Sequence, residues 1–351
     1  MQKRTAKMRK VKVGIVSFGR SGRDIHAATL LGMGDKYQIT AVSDPKLDLL
    51  SDIKAKTGCN TYSDYKALIA DKNVELVVVA APSFLHKEVT IEALKNKKFV
   101  NVEKPVAPDV KSVDEMIAAS EKYKQQFSVF QDRRFENDVT EVKKIAASGK
   151  IGKVYLVKRV VHTFQRRDDW QALKKFGGGL INNHGVHFLD QMLYFANFDI
   201  VKFYGDARLL VSAGDAEDYG KIVVVGKDIT IDIEVTGAAA VNIVPSLIVF
   251  GTQGSIVSQG TDTLKVTYLD PKKLRKLAKP EEIVPNSNFT YPTDKIDWQE
   301  EVIKLKNESS FKLYYDAAYE WIVNGKEVPV SPESTRKVLN IIETVKKEYG
   351  F

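Results

Sequence analysis

The feature that most constrains this fold is a short run of apolar, largely β-branched residues. Residues 76–81 read Leu-Val-Val-Val-Ala-Ala, which is typical of a strand buried on both faces of a parallel sheet. Residues 86–97 predict a helix, and residues 99–103 predict the next strand. The three segments together predict a βαβ unit, because parallel neighbours need a crossover connection.

The same alternation of strand and helix extends over the first part of the chain and predicts an α/β fold with a parallel sheet. Strands are predicted at residues 11–17, 38–44, 76–81, 99–103 and 127–131. Helices are predicted at residues 23–31, 47–57, 64–70, 86–97 and 109–123.

The second part of the chain has a different pattern, in which short β-rich segments are separated by turn residues. Strands are predicted at residues 154–163, 201–212, 221–226, 229–236, 240–251, 254–259 and 263–268. Helices are predicted at 138–148, within 177–196 and at 331–349. This pattern predicts an open, mostly antiparallel sheet with helices on one face, and the charged stretch 264–292 is expected to be a surface excursion.

Three parts are therefore expected in the 351 residues. A basic tail covers residues 1–10, a parallel-sheet domain covers 11–131, and an α+β domain covers 132–351, with its C-terminal helix able to pack back on the first domain. Met8 is an alternative start, which would remove most of the tail.

Composition limits the cellular compartment and the classes of partner that can be expected for this chain. The only cysteine, Cys59, excludes an internal disulfide and fits a reducing compartment, here the cytoplasm. No apolar run approaches the roughly 20 residues of a membrane span, and the first ten residues lack the apolar core of a secretory signal. The net charge of +8 raises nucleic acid as a partner. Because the lysines are scattered among acidic residues, a solvated basic surface is favoured, and neither nucleic acid nor membrane is expected.

A glycine-containing turn follows the first predicted strand and approximates the pattern G-x-G-x-x-G. The turn reads Ser17-Phe18-Gly19-Arg20-Ser21-Gly22, with serine at the first glycine position. The second glycine lets the backbone approach a pyrophosphate, and the third lets the helix pack on the strand. Because such turns are common, this signal alone indicates dinucleotide binding only weakly.

An acidic residue at the end of the second predicted strand strengthens that interpretation. Asp44 lies about 20 residues beyond the turn, where a carboxylate binds a ribose diol and repels a 2′-phosphate. The pair therefore predicts a dinucleotide-binding domain over 11–131 and favours NAD over NADP, although Arg20 and Lys46 keep NADP open. The alternative is that Asp44 caps the following helix.

Two further segments carry residues suited to proton and charge transfer. Glu103-Lys104-Pro105 ends a predicted strand at the ligand-binding edge of the sheet; a surface turn is the alternative. Three glycines at 177–179 precede a predicted helix that places Asn183 and His187 on one face, four residues apart. A histidine there can take the proton of a substrate hydroxyl. His184 is assigned to solvent or core, and no metal site is expected.

These segments together resemble the Gfo/Idh/MocA oxidoreductases, the glucose–fructose oxidoreductase and inositol dehydrogenase family. The resemblance runs from the turn at 14–22 through Ala81-Pro82-Ser83-Phe84-Leu85-His86 and Glu103-Lys104-Pro105 to residues 177–190 and 328–331. It implies a Rossmann domain, a second domain whose open sheet mediates a homodimer or homotetramer, and hydride transfer between a nicotinamide and a hydroxyl-bearing carbon of a sugar or polyol.

The resemblance also implies roles for individual residues. Lys104 resembles the lysine that holds the reacting oxygen, and His187 resembles the general acid/base. Asn183 stands where inositol-dehydrogenase-like members carry aspartate. Further cofactor-pocket positions are Ala81, Pro82, His86 and Glu103, and substrate-pocket positions are Arg133, Arg166, Asp169 and Trp170. The alternative for these arginines is surface pairing with Asp168 and Asp169.

The leading hypothesis is an NAD-dependent dehydrogenase of a sugar, inositol or related polyol, with NADP possible. Two alternatives stay open from the sequence. One is a non-catalytic regulator of the same fold that senses dinucleotide or sugar, and the other is a biliverdin-type reductase. The presence of both Lys104 and His187 favours the dehydrogenase.

Overall fold

The computed structural model describes residues 9–241, 244–285 and 294–351. Its first sheet has six parallel strands in the order β3-β2-β1-β4-β5-β6. The strands are β1 (Val11–Val16), β2 (Tyr37–Ser43), β3 (Asn60–Tyr62), β4 (Leu76–Val79), β5 (Phe99–Val102) and β6 (Phe127–Val129). This is the predicted Rossmann-like sheet, and the fold class is confirmed.

Helices cover both faces of this sheet in the predicted order. They are a π-helical segment, Ser21–Ala27, that continues into α1 (Ala28–Leu31), then α2 (Ser51–Thr57), α3 (Tyr65–Ala70), α4 (His86–Lys95) and α5 (Val110–Tyr123). Asp64 and Asp109 begin α3 and α5, since their side chains accept hydrogen bonds from backbone N–H groups of the first turn. The strand order reverses between β1 and β4, which opens a crevice beyond their carboxyl ends.

The second sheet has eight strands in the order β14-β13-β12-β11-β7-β10-β9-β8. The strands are β7 (Val154–His162), β8 (Lys202–Arg208), β9 (Tyr219–Val225), β10 (Thr230–Thr236), β11 (Leu247–Gly251), β12 (Gly254–Gln259), β13 (Thr263–Tyr268) and β14 (Gln299–Lys304). Only β7 and β10 pair in parallel, so the predicted open, mostly antiparallel sheet is confirmed.

Four more helices complete the described fold. They are α6 (Asn137–Ala147), α7 (Val186–Phe195), α8 (Ser310–Asn324) and α9 (Pro332–Glu348). A π-helical segment, Ile181–Gly185, leads into α7. Within the described ranges, no helix combines the length and apolar character needed to cross a bilayer.

Several boundaries differ from the sequence predictions. The strand predicted over 240–251 begins only at Leu247, and residues 264–268 of the predicted surface excursion form most of β13, with Leu264 fully buried. Residues 269–285 are mostly exposed, as expected, while residues 286–293 lie outside the described residues, as do 1–8 of the predicted tail and with them Met8. Strands β3 and β14 and helix α8 were not predicted. The sequence of β14, Gln-Glu-Glu-Val-Ile-Lys, gives little apolar signal because its side chains are largely solvent-exposed.

The C-terminal helices connect the cores of the two sheets. Tyr314, Tyr315 and Trp321 of α8 are buried in the core of the first sheet. Helix α9 contributes Ile342 to the core of the second sheet and Leu339 to that of the first. Residues that follow the second sheet in sequence therefore complete the packing of the first.

Candidate active site

The glycine-containing turn is fastened to the end of β2. Ser17 has φ +70°, a left-handed conformation that glycine adopts more easily. The Asp44 carboxylate accepts a hydrogen bond from the Phe18 backbone N–H at 2.8 Å and lies 3.4 Å from the Ser17 hydroxyl. Asp44 also accepts from the Lys46 N–H at 2.9 Å. This carboxylate thus holds the turn in place and also occupies the predicted position at the strand end.

The two glycines of the turn have the environments that a dinucleotide requires. A Cβ on Gly22 would lie 2.2 Å from the Ser17 carbonyl oxygen, so the helix can approach the strand only with glycine there. A Cβ on Gly19 would meet nothing within 4 Å. The turn therefore has an open side, beside the first N–H groups of a helix, where a pyrophosphate can approach. On these observations the residues fit a dinucleotide.

Glu103 joins the turn to the end of β5. Its buried carboxylate accepts hydrogen bonds from the Ser21 hydroxyl, from the Lys104 backbone N–H at 2.9 Å, and from His26 Nε2 at 3.1 Å. Burial by itself would raise the pKa of Glu103, but the contacts with His26 and Ser21 outweigh it and hold the pKa at about 2. Glu103 is therefore an ionised group beneath Lys104.

Lys104 extends from the end of β5 to the start of α7. Its Nζ donates to the backbone carbonyl of Asn183 at 3.3 Å, and the Lys104–Pro105 peptide bond is cis. Burial lowers the pKa of Lys104, and the nearby Arg133 cation adds to this effect against the opposing influence of Glu103. The structure thus brings the predicted lysine and asparagine into contact.

His187 lies on α7 beside these residues and is almost fully buried. Its Nδ1 is 3.1 Å from the side-chain oxygen of Gln131, which can only accept, so Nδ1 carries the proton and Nε2 has a free lone pair. Burial lowers the pKa of His187 well below its usual range, and Lys104 and Arg133 lower it further. His187 is therefore a neutral imidazole that can accept a proton at Nε2.

His184 is the histidine that the sequence pattern assigned to solvent or core. The structure places it half-buried near the same cations, rather than in the core or in open solvent. Burial and the neighbouring Arg133 and Lys104 lower its pKa to about 4. Its Nδ1 is buried and has no hydrogen-bond partner in the described part of the chain. Only its position, one residue after Asn183, was a sequence signal for this location.

Residues after β4 form the adjoining wall of the crevice. His86 is buried, with Nδ1 2.9 Å from the Pro105 carbonyl and Nε2 2.7 Å from the Ala81 carbonyl. Both ring nitrogens thus face carbonyl oxygens, and because burial lowers the pKa of His86, the neutral ring donates its one N–H to only one of them. Pro82 is exposed at the rim.

The four predicted substrate-pocket residues differ in how exposed they are and in what they contact. Arg133 is half-buried beside α7, with its guanidinium 5.8 Å from the Phe188 ring centroid. Arg166 is exposed and lies 3.4 Å from the Val211 carbonyl, and Trp170 is 59% exposed. Asp169 pairs with Arg167, and among the described residues neither Arg133 nor Arg166 pairs with Asp168 or Asp169.

Two residues at the end of β6 were not singled out from the sequence. Gln131 orients His187, and its own side-chain N–H group is buried with no partner among the described residues. Asp132 is buried, accepts from the Ser310 hydroxyl at 2.8 Å, and has a pKa raised by burial to about 6. No spacing rule could have linked Gln131 to His187, because the two residues are 56 positions apart in sequence. Across the ranges that the structure describes, no cluster of three or more His, Cys, Asp or Glu could hold a metal ion.

Comparison with known families agrees with this architecture. Residues 11–131 match the model described as "Oxidoreductase family, NAD-binding Rossmann fold". Residues 139–257 match the model described as "GFO/IDH/MocA C-terminal domain". The two matches cover more than half of the chain.

Individual relatives are more distant. The chain is 32% identical over 183 residues to 2,7-anhydro-N-acetylneuraminate hydratase of Escherichia coli, covering 51% of this chain and 48% of that protein. It is 29% identical over 218 residues to myo-inositol 2-dehydrogenase of Thermotoga maritima, covering 61% and 64%. The chain therefore aligns with about half of the first relative and slightly less than two thirds of the second.

Among solved structures, the fold is similar to that of the WlbA dehydrogenase from Bordetella pertussis in complex with NADH and UDP-GlcNAcA. The TM-score is 0.75 at 20% identity, and the match covers 97% of this chain and 96% of that one. At this identity the likeness concerns the fold alone.

Proposed function

The chain belongs to the Gfo/Idh/MocA oxidoreductase family, with its NAD-binding Rossmann fold, and from this we propose that it is a nicotinamide-dependent dehydrogenase of a sugar, inositol or related polyol. One observation carries the proposal. Lys104 contacts Asn183 beyond the carboxyl end of β5 and is near enough to His187 to lower its pKa. Glu103 links Lys104 to the turn that fits a dinucleotide. The relative named myo-inositol 2-dehydrogenase supports the substrate class.

In the oxidation direction, His187 is the proton acceptor of this proposal. As the substrate C–H and O–H are replaced by a carbonyl, the hydroxyl proton goes to His187 Nε2; a nicotinamide held at the glycine turn would supply the hydride acceptor. The neutral imidazole and its orientation by Gln131 suit this role. The Lys104 ammonium stabilises negative charge as it develops on the substrate oxygen.

Asn183 contributes by orientation rather than by charge. Its backbone carbonyl accepts from Lys104, and its side-chain amide lies 3.4 Å from the side-chain oxygen of Gln171. A neutral amide cannot stabilise an imidazolium as a carboxylate would. Lys104 therefore carries more of the electrostatic stabilisation in this proposal than it would beside an aspartate.

NAD is the proposed cofactor, and the glycine turn offers a direct test. Gly19→Leu adds a side chain where the protein leaves space, so the fold should tolerate it while the pyrophosphate is excluded. Fluorescence titration of the wild type should show NADH binding tighter than NADPH, because Asp44 repels a 2′-phosphate. We expect the Gly19→Leu variant to unfold at the same temperature and to bind neither.

The same preparation distinguishes the alternatives. A polyol panel followed both by reduced-nicotinamide absorbance and by mass spectrometry of the sugar should give equal amounts of product and reduced cofactor. Sugar conversion without net cofactor reduction would instead favour a hydratase, the activity for which one relative is named. Tight NADH binding with no conversion of any polyol would favour the sensor, and no binding of either cofactor would overturn the proposal.

We also propose that the second sheet mediates a homodimer or homotetramer. Its surface carries Tyr155, Trp298 and Val302, which are 48%, 52% and 65% exposed. Tyr155 and Trp298 line a cleft of about 400 Å³ together with Phe250. A second copy of the chain would cover these apolar groups.

A further inference from the structure

We propose that the substrate is an acidic sugar, such as a uronate or aldonate, and that Arg133 binds its carboxylate while the hydroxyl-bearing carbon lies at His187. This proposal rests on the dehydrogenase function proposed above and narrows its substrate class. It is carried by the contacts of Arg133 and by the charges that face the two histidines of the site.

Arg133 has only one, distant ionic partner in the described part of the chain. Its guanidinium makes no hydrogen bond there, and the nearest carboxylate oxygen, on Glu136, is 3.7 Å away. The other oxygen of that carboxylate, Oε2, accepts from Gln191 at 2.7 Å and from Arg159 at 3.3 Å. The side chain of Arg133 is 34% exposed, so its donors remain accessible to a ligand.

The next residue provides the contrast. Arg134 donates two hydrogen bonds of 2.6 Å to Asp190 and a third of 2.9 Å to Ser334, and its side chain is only 5% exposed. Of the two adjacent arginines, Arg134 is therefore engaged in buried structural contacts. The other, Arg133, makes only the 3.7 Å contact with Glu136, and its charge lowers the pKa of both His184 and His187 on the neighbouring helix.

The charged side chains that lower the pKa values of these two histidines are all cations. Lys104 and Arg133 both act on His187 and His184, and Arg167 acts on His184. Arg167 is already neutralised by Asp169.

Three nearby carboxylates are each engaged by other groups. Glu103 accepts from His26 and Ser21, Glu136 accepts from Arg159 and Gln191, and Asp132 is buried against Ser310. An anion at Arg133 would therefore bind to guanidinium donors that make no hydrogen bond within the described residues. A planar guanidinium binds a carboxylate through two parallel hydrogen bonds.

A neutral polyol would use this arrangement poorly. Its hydroxyls can accept single hydrogen bonds from the guanidinium, but they cannot form the charge-assisted, two-pronged contact that a carboxylate makes. A charge-assisted hydrogen bond contributes more than a neutral one, so a substrate carboxylate should raise kcat/KM by about 10- to 100-fold.

Matched sugar pairs test the inference. Glucose with glucuronate, and galactose with galacturonate, differ only at C6, and each should be assayed with NAD in the wild type and in Arg133→Gln. We expect the wild type to prefer the uronate, and Arg133→Gln to lose most of the preference. Arg133→Lys should be intermediate, because it keeps the charge but not the two-pronged geometry. Arg275→Gln is the control, since Arg275 pairs with Asp294 at the surface.

Three results would contradict this inference. Neutral sugars used as well as uronates, or a uronate preference that survives in Arg133→Gln, would overturn it while leaving the dehydrogenase function intact. No turnover of either class, with NADH still bound, would reject both proposals. The unfolding temperature of Arg133→Gln should be measured alongside, so that loss of preference is not loss of folding.

Discussion

Burial is the main cause of the lowered pKa of His187, and its neutral hydrogen-bond partner Gln131 does not oppose it. A histidine beside a carboxylate has a raised pKa, whereas His187 contacts the amide of Gln131 and faces the cations Lys104 and Arg133. Burial acts in the same direction. The site therefore maintains a base that is unprotonated well below neutral pH, which suits removal of a proton from a substrate hydroxyl.

A pH profile checks this arrangement. Because the pKa of His187 lies well below 6.5, kcat/KM for oxidation should stay constant as pH falls through 6.5 and decline only at lower pH. Gln131→Glu places a carboxylate against Nδ1, with Lys104, Arg133 and His184 still facing the ring. The pKa of His187 should rise by about one unit or more, which shifts the acid limb of the profile to higher pH.

The control for this profile is Gln131→Met, which removes the acceptor without adding charge. It should lower the rate because the tautomer is no longer fixed, but it should not shift the limb upward. An acid limb that stays in place in Gln131→Glu would contradict the role assigned to His187.

Lys104 is expected to act on the reaction more than on cofactor affinity. Lys104→Ala removes the ammonium that stabilises the developing oxyanion, so kcat should fall by about 10²- to 10³-fold. NADH affinity, measured by fluorescence, should change little. Lys98→Ala is a matched control, because that Nζ binds the carbonyls of Asp71 and Val74 away from the site. Full activity in Lys104→Ala would rule out the proposed mechanism.

Residue types and local spacing were sufficient to predict Lys104, Asn183 and His187 as candidates. They were not sufficient for Gln131, because nothing near it in sequence signals a histidine partner on α7. His184 was assigned to solvent or core for a related reason. Its environment is created by Arg133 and Lys104, which come from other elements.

At the scale of elements, the segment after β6 is held to α7 and α9 by one buried ion pair. Arg134 binds Asp190 of α7 and Ser334 of α9, and the two charged side chains are 5% and 1% exposed. This contact positions the segment that carries Gln131 and Arg133. The π-helical segment Ile181–Gly185 leads into α7 and carries Asn183, whose backbone carbonyl accepts from Lys104.

Breaking that pair should destabilise the protein. Arg134→Met leaves the Asp190 carboxylate buried without its partner, which costs about 3–5 kcal/mol in the free energy of unfolding. Urea denaturation measures the change. Arg336→Met, at a surface pair with Asp114, should cost about 1 kcal/mol or less. If Arg134→Met unfolds at the wild-type midpoint, the pair does not anchor the segment.

At the scale of the whole molecule, the two sheets share their helices. Helix α8 buries Tyr314 and Trp321 against the first sheet, and α9 contributes to both cores. The face of the second sheet that carries Trp298 and Tyr155 has exposed apolar groups beside ion pairs such as Lys158–Asp232. A surface of this kind suits a symmetric contact between two copies of the chain.

The oligomer is tested by a charge on this surface. Trp298→Asp places a carboxylate in the proposed contact, so size-exclusion chromatography with light scattering should show a shift from dimer or tetramer toward monomer. Leu277→Asp is the control, because Leu277 is 69% exposed and does not line the cleft. A wild type that is monomeric at every concentration would reject the contact.

The sequence by itself determined the α/β class, the first sheet, most of the second and the turn that fits a dinucleotide. These follow from periodicity, β-branching and glycine geometry, which act over a few residues. The tertiary structure decided the rest: helix α8 in the first core, strand β14 at an exposed edge, Gln131 against His187, and a loosely paired Arg133 next to a tightly paired Arg134. Each of these depends on contacts between residues distant in sequence, and the burial and charge that such contacts create exist only once the chain has folded.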